Sequence, residues 1–527
     1  MTTKPKAFLI GSGIGSLAAA AFMIRDGHVP GDHITIFEAG TLAGGSLDGA
    51  GDPDNGYSLR GGRMLTTDNY ECTWDLFKTI PSLGDPAITV FQETLAFNES
   101  HKSNAMARLV DRRRARVPVR SMGFSMTDRL ELLKLSRAVE AEMGDSRITD
   151  WLSPAFFDTE FWFMWVTTFA FQPWHSAVEF RRYLHRFVLE FSRIETLGGV
   201  KRTVYNQYDS FVRPLQTWLE AQGVHFEMNC VVNALDHVIE HDQLVVTGIH
   251  TVRQDRDQVR VSGIKVGQGD LVFLQNGSMT DSSSLGSMTE APLQLYKTEG
   301  GGWSLWESLA KNRSGFGNPA AFNSCVAQSN WESFTVTLKN PSFFAEMERF
   351  SGNEAGTGGL VTFKDSNWLM SIVLAYQPHF IDQPADVQVF WGYGLFPDRI
   401  GNFVPKSMAN CNGAEILQEL CGHLRFDRAT VATANCIPCH MPYITSMFMP
   451  RLPGERPLPV PEGSKNLAFV SQFVELQDDV VFTVEYSIRA AQTAVYQLLS
   501  IQRQIPPVTP HDRSVCAQFE ALVKAFE

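Results

Sequence analysis

Ala7-Phe8-Leu9-Ile10-Gly11-Ser12-Gly13-Ile14-Gly15-Ser16-Leu17-Ala18-Ala19-Ala20-Ala21 decides the fold. A short apolar run stops at glycine, a turn of small residues follows, and a helix-forming stretch continues to Asp26 before Gly27 ends it. A second apolar run, Ile34-Thr35-Ile36-Phe37, closes on Glu38. Strand, glycine turn, helix, strand and acid, in that order, make the βαβ unit that binds dinucleotides. Gly11 permits the tight turn and Gly13 lets a pyrophosphate approach the backbone. Ile14 and Gly15 open a helix whose unpaired N–H groups face the phosphates. Ser16 stands where a third glycine is usual and keeps the small size that helix–strand packing needs. Glu38 is placed to accept hydrogen bonds from adenosine ribose hydroxyls. A signal peptide is the competing reading, with Lys4 and Lys6 ahead of an apolar run. Glycines and serines interrupt that run, however, and cleavage would destroy a complete fingerprint.

Outward from this unit, Ala43-Gly44-Gly45-Ser46-Leu47-Asp48-Gly49 and Leu59-Arg60-Gly61-Gly62-Arg63 follow. Gly45, Ser46, Gly61 and Gly62 allow backbone contact with a diphosphate, and Arg60 and Arg63 supply cationic donors. A flexible surface loop would explain the glycines but not the arginines beside them. The pattern favours FAD over NAD.

With 527 residues the chain is long enough for two or three domains. Its net charge of −12 argues against nucleic acid and gives no global attraction to anionic membranes. The 37 phenylalanines and 17 methionines suit core packing and also a long apolar binding cavity. The most apolar stretch, 161–171, is too short to span a bilayer and stops before Pro173. Eight scattered cysteines do not form a secreted disulfide framework, so a cytoplasmic protein is expected. Cys436-Ile437-Pro438-Cys439 lacks the second pair a zinc site needs, and no metal is expected. Two reduced, buried thiols are the simpler reading of that motif, and a redox pair the other.

Residues 1–125 read as the first part of an FAD-binding Rossmann-like region, and 126–220 as a mostly helical substrate-channel region. In the latter the aromatic segment 156–174 precedes Tyr183 and His185. Residues 221–300 read as return strands ending at the turn Asn276-Gly277, and 301–455 as a substrate-binding α/β region. Residues 456–503 complete the nucleotide domain, with a last strand running into Gln472-Phe473. Thr483 then introduces a closing helix from Ser487 to Arg503. A helical tail fills 504–527. The fold class expected is α/β: a Rossmann-like two-dinucleotide-binding-domain flavoprotein with an inserted substrate-binding α/β region and C-terminal helices. In such an architecture Asn276, Gly277, Gln472, Phe473 and Thr483 touch the flavin.

Further motifs complete the picture: Glu71-Cys72-Thr73-Trp74-Asp75, Trp174-His175-Ser176-Ala177, Arg181-Arg182-Tyr183, Tyr205-Asn206-Gln207-Tyr208-Asp209-Ser210, Met441-Pro442-Tyr443-Ile444-Thr445-Ser446 and Glu485-Tyr486-Ser487-Ile488-Arg489. Together with the two glycine loops, and over nearly the whole chain, they resemble the oleate hydratases, once called myosin-cross-reactive antigens. The resemblance implies addition of water to the cis-9 double bond of oleic acid, giving 10-hydroxystearic acid, with FAD organising the site rather than carrying electrons. Linoleate is a second substrate it suggests, and contact with a membrane surface is a further expectation. It makes Tyr183 the proton donor and gives the fatty acid carboxylate to Thr433 and Asn435, with His440 nearby. Arg181, Arg182 and His185 are the sequence neighbours that could make the Tyr183 proton available.

The family pattern Arg-Gly-Gly-Arg-Glu-Met is broken here. Met64 follows Arg63 where the water-activating glutamate is usual, and a thioether cannot act as a base. Asp68 is the nearest acid; the alternative is water held by backbone carbonyls and by Thr66, Thr67 or Asn69. The fingerprint also starts close to the N-terminus, without the extension that contributes dimer contacts in relatives, so a monomer is expected and a homodimer is the alternative. A redox-active double-bond isomerase or desaturase, or a catalytically silent fatty acid carrier, would share most of these features.

Overall fold

The computed structural model describes residues 4–527 other than 256–257, 296 and 298–300. β1 (Ala7–Ile10) and β2 (Ile34–Phe37) pair in parallel with Ala7 opposite Ile34. Their almost unbroken apolar sequence fits strands covered by helices on both faces. α1 (Ile14–Arg25) joins them and buries its whole length from Ile14 to Met23, packed between the sheet and the helix Val484–Leu498. Gly15 is needed for this packing, because a Cβ there would lie 2.2 Å from the Val470 carbonyl oxygen.

The parallel sheet runs Leu467–Phe469, Leu271–Leu274, β1, β2, His225–Glu227. Strands from the middle and the end of the chain thus complete the N-terminal unit. The strands Cys230–Glu240, Gln243–Asp255 and Gln258–Lys265 make a separate antiparallel sheet. Among the described residues between 221 and 300, only His225–Glu227 and Leu271–Leu274 join the parallel sheet. The closing helix starts at Val484, three residues before the sequence suggested, because the Thr483 side chain caps it by accepting the Tyr486 N–H. It ends at Leu498 rather than Arg503.

A seven-stranded sheet forms the second layer, in the order Ser284–Leu285, Asn435–Met441, Trp331–Leu338, Gln388–Gly394, Met370–Leu374, Gly359–Phe363, Leu109–Val110. Side chains alternate across it. Phe334, Val336, Leu338 and Phe390 face a core closed by the helices Ser342–Ser351 and Gly413–Leu424. Trp331, Val373, Trp391 and Tyr393 face the other way, into the core shared with the nucleotide unit. On that face the Thr335 and Thr337 hydroxyls accept the N–H groups of Leu59 and Tyr57, docking the hairpin Gly49–Asp52/Gly56–Leu59. The helices Glu160–Phe169 and Ala177–Arg186 complete the enclosure with aromatic side chains. No helix among the described residues is long and apolar enough to cross a membrane.

Candidate functional site

A cleft of about 470 Å³ opens at the C-terminal ends of β1 and β2, where open α/β sheets hold ligands. Of the residues singled out from sequence, Gly11, Gly13, Ile14, Glu38, Gly45, Ser46, Arg60, Arg63, Gly277, Gln472, Phe473 and Thr483 line it. Gly15 and Asn276 stand behind the wall. The first allows the Val470 contact, and the second hydrogen-bonds the Phe473 carbonyl and Ser471. Gly61 and Gly62 pass over Trp391, where a Cβ on Gly62 would come within 2.5 Å of the indole.

The cleft suits a dinucleotide. α1 begins at Gly13 with no side chain capping it, leaving its N–H groups to a ligand. The Glu38 carboxylate is fixed by Ser12 (N at 2.9 Å, Oγ at 2.6 Å) and the Gly40 N–H at 2.8 Å, with lone pairs to spare for hydroxyls. Arg60 is neutralised by Asp48 at 2.9 Å. Arg63 has no carboxylate partner among the described residues. It donates to the Ser46 carbonyl at 3.2 Å and lies over the Phe482 ring. Burial pulls its pKa down to about 10, so it is still a cation at neutral pH and is available to an anionic ligand.

A second, narrower cavity of about 100 Å³ adjoins the cleft, sharing Arg63, Phe482 and Thr483 as common wall. Tyr183 lines it, fully buried among Phe169, Phe171, Phe187 and Phe448, and its hydroxyl donates to the Val481 carbonyl at 2.5 Å. Burial, with Tyr70, Glu179 and Asp479 nearby, pushes this phenol well above its ordinary pKa, and Arg63 opposes the shift. Tyr183 therefore carries its proton at neutral pH. Its sequence neighbours are engaged elsewhere. Arg181 and Arg182 pair with Glu140, Arg182 also reaches Glu475 at 2.8 Å, and His185 meets Asp512 at 2.8 Å. One turn on, Arg186 pairs with Glu71 at 2.6 Å and Asp479 at 3.2 Å. These ion pairs fix the helix that carries Tyr183; the cation that acts on its hydroxyl is Arg63.

The loop after Arg63 sends only some of its side chains inward. Met64, Thr66 and Tyr70 line the narrow cavity; Thr67, Asp68 and Asn69 do not. Asn69 donates to the Arg186 carbonyl at 2.6 Å, Trp74 Nε1 to the Thr66 carbonyl at 2.9 Å, and Tyr70 to the Met64 carbonyl at 3.0 Å. With those three anchors, Asp68 is turned outward, 41% exposed and paired with Arg193 at 3.3 Å. The carboxylate that does line the cavity is Glu190, which sequence reasoning missed. Its signal was spacing, since Tyr183, Phe187 and Glu190 recur at i, i+4 and i+7 across two successive helices. Arg193 holds Glu190 at 2.5 Å.

None of Thr433, Asn435 and His440 reaches either cavity. The Thr433 hydroxyl accepts from Asn340 at 3.2 Å at the rim of the sheet, and Asn435 clamps the hairpin through the Asn55 carbonyl at 2.6 Å. His440 is buried opposite Glu332, 3.7 Å from its carboxylate, in the strand pair 435–441/331–338. Burial raises Glu332 from 4.5 to about 7. Between those two values the folded carboxyl keeps a proton that the unfolded one has lost, so stability falls as pH rises through this window. Glu332→Gln is expected to remove that loss: its melting temperature should exceed the parent's at pH 8 and match it near pH 4.5. Equal differences at both pH values would refute the assignment.

Cys436 and Cys439, three residues apart on one strand, face opposite sides of the sheet, so they cannot meet. Both are free, and burial raises Cys439 to about 11, keeping it a thiol. No group of three His, Cys, Asp or Glu residues that could hold a metal occurs among the described residues.

Fold and cleft together define a Rossmann-type α/β protein with an aromatic-lined cavity beside its glycine cleft. Solved structures agree on the fold. A cyclohexylamine oxidase from Brevibacterium oxydans matches with a TM-score of 0.52 at 13% identity, over 94% of this chain and 99% of that one. A Methanosarcina mazei oxidoreductase matches with a TM-score of 0.51 at 12% identity, over 93% and 100%. The chain belongs to the MCRA family, which it matches over residues 4–496. It is 39% identical to an oleate hydratase of Streptococcus pyogenes, over 95% of this chain and 86% of that one. To a linoleate hydratase of Lactiplantibacillus plantarum it is 33% identical, over 99% of each.

Proposed function

We propose that this protein is a hydro-lyase that adds water to the cis-9 double bond of oleate, giving 10-hydroxystearate, with FAD bound in the glycine cleft as a non-redox cofactor. The observation that carries the reading is the narrow aromatic cavity that holds a protonated Tyr183 and shares Arg63, Phe482 and Thr483 with the cleft. A space this slender suits a flexible hydrocarbon chain rather than a ring system. Linoleate, with the same cis-9 bond, fits the same chemistry.

Arg63, Phe482 and Thr483 are among the residues that would hold the flavin, which would supply fixed electrostatics and help to exclude water. The chain does the rest. Burial keeps bulk water away from the carbocation character that protonation of an isolated alkene creates. Tyr183 gives its proton to C9, and Arg63 offsets the phenolate charge that develops. A single water, held by the Thr66 hydroxyl and the Glu190 carboxylate, adds to C10 and passes its proton to Glu190. That proton returns to Tyr183, so no electrons are exchanged with the cofactor. Met64, at the position of the family's glutamate, shapes the cavity.

Incubation with oleate in heavy-oxygen water, followed by mass spectrometry, tests the reading. Labelled 10-hydroxystearate is expected; a shifted double bond or unchanged oleate would overturn it. Glu38→Ala is expected to weaken FAD binding by about 10-fold or more, because ribose contacts are lost and Ser12 and Gly40 lose their acceptor. Unchanged affinity, read by titrating flavin fluorescence, would move the nucleotide elsewhere.

The protein acts as a cytoplasmic monomer that meets membranes peripherally, where its substrate partitions. The helix Val515–Phe526 supports this by leaving Val515, Phe519, Leu522, Val523 and Phe526 exposed along one face.

A further inference from the structure

The geometry points to Arg202 and His379 as the seat of the substrate's carboxylate, a site formed by neither Thr433 nor Asn435. The inference rests on the fatty acid reading above and gives it a polar end. Arg202 lines the narrow cavity, yet its Nε and Nη2 are sealed from solvent and have no hydrogen-bond partner among the described residues. A buried guanidinium without an acceptor is costly, and native structures rarely keep one unless something arrives to satisfy it. Burial alone lowers its pKa to about 10, so the positive charge persists at neutral pH.

No acid among the described residues answers it. The groups whose titration feels Arg202 are Arg108, itself buried and held by the Ile194 carbonyl and Thr168, and His379. His379 lines the same cavity, and its Nε2 also lacks a partner. Burial and the Arg202 charge depress its pKa to about 4, so the ring is neutral and has one N–H to donate. The backbone around both groups is pinned. Arg202 N and O are bound by the Asn98 side chain at 3.0 and 2.7 Å, and the His379 carbonyl takes two hydrogen bonds from Asn206 at 2.8 and 3.0 Å. Glu190, the acid on the cavity lining, is held by Arg193, so Arg202 stands there as an unneutralised cation with a neutral ring donor on the same lining. A carboxylate satisfies both at once, with charge-assisted hydrogen bonds to the guanidinium.

The test is direct binding to the flavin-loaded protein, followed through the tryptophans Trp331 and Trp391 of the wall, with oleate and with oleyl alcohol as its neutral counterpart. The parent should prefer oleate. Arg202→Met should weaken oleate binding by about 10- to 100-fold and leave oleyl alcohol within about twofold, and Arg202→Lys should recover part of the loss. The melting temperature of ligand-free Arg202→Met should not fall, because the variant removes a buried unpaired charge, and this reports that it folds. Equal oleate affinity in parent and Arg202→Met would overturn the carboxylate site while leaving hydration intact. Failure of the parent to bind either compound would instead overturn the fatty acid reading on which the site depends.

Discussion

Tyr183→Phe is expected to lower oleate hydration by about 10²-fold or more, the usual contribution of a positioned general acid, while flavin and oleate stay bound. The substitution removes one oxygen and keeps the ring, which the cluster of Phe169, Phe171, Phe187 and Phe448 already accommodates. Its structural cost is one hydrogen bond to the Val481 carbonyl, about 1 kcal/mol, too little to unfold a domain of this size. The loss should therefore fall on the chemical step, leaving the oleate dissociation constant within about twofold. Near-normal turnover in the variant would take Tyr183 out of the mechanism.

A second large effect is expected at a residue with no motif to announce it. Glu190→Gln should reduce turnover by about 10²-fold, because the amide keeps the shape of the carboxylate but cannot accept the proton of the attacking water. The amide oxygen can still accept from Arg193, which now holds Glu190 at 2.5 Å, so the helix should stay in place. Asp68→Asn is the matched control. Asp68 pairs with the same arginine but points to solvent, and its loss should change turnover by less than about twofold. Met64→Glu, placed in the Glu190→Gln background, should recover part of the rate, since Met64 lines the same cavity. If Asp68→Asn proves severe and Glu190→Gln silent, water activation belongs to the loop and the assignment here is reversed.

The contrast between these two acids shows what the sequence can carry. The βαβ unit was legible because its determinants are local: an apolar run, glycines at fixed offsets, a helix-forming stretch and an acid lie within the first forty residues. Tyr183 and Arg63, both on the cavity lining, stand in motifs that the sequence displays. Asp68 is the nearest acid along the chain, but three hydrogen bonds from residues 69, 70 and 74 decide which way that loop turns. Thr433 and Asn435 lie outside both cavities for a related reason: a strand was readable, but not that its start would lie at the rim against a hairpin. Glu190, Arg202 and His379 come from separate stretches that only the tertiary fold brings to one cavity. In the linear sequence Lys201-Arg202 reads as ordinary surface charge.

Arg63, Phe482 and Thr483 belong to both hollows. A molecule that fills one of them fixes side chains that the occupant of the other must meet. Thermodynamic reciprocity then applies: whatever factor a nucleotide contributes to lipid affinity, the lipid returns to the nucleotide. Where the two occupants suit one another, the empty protein is poorly arranged for either alone, and the filled protein releases each reluctantly. Retention of the cofactor is in this sense a property of the lipid supply as well as of the glycine turn.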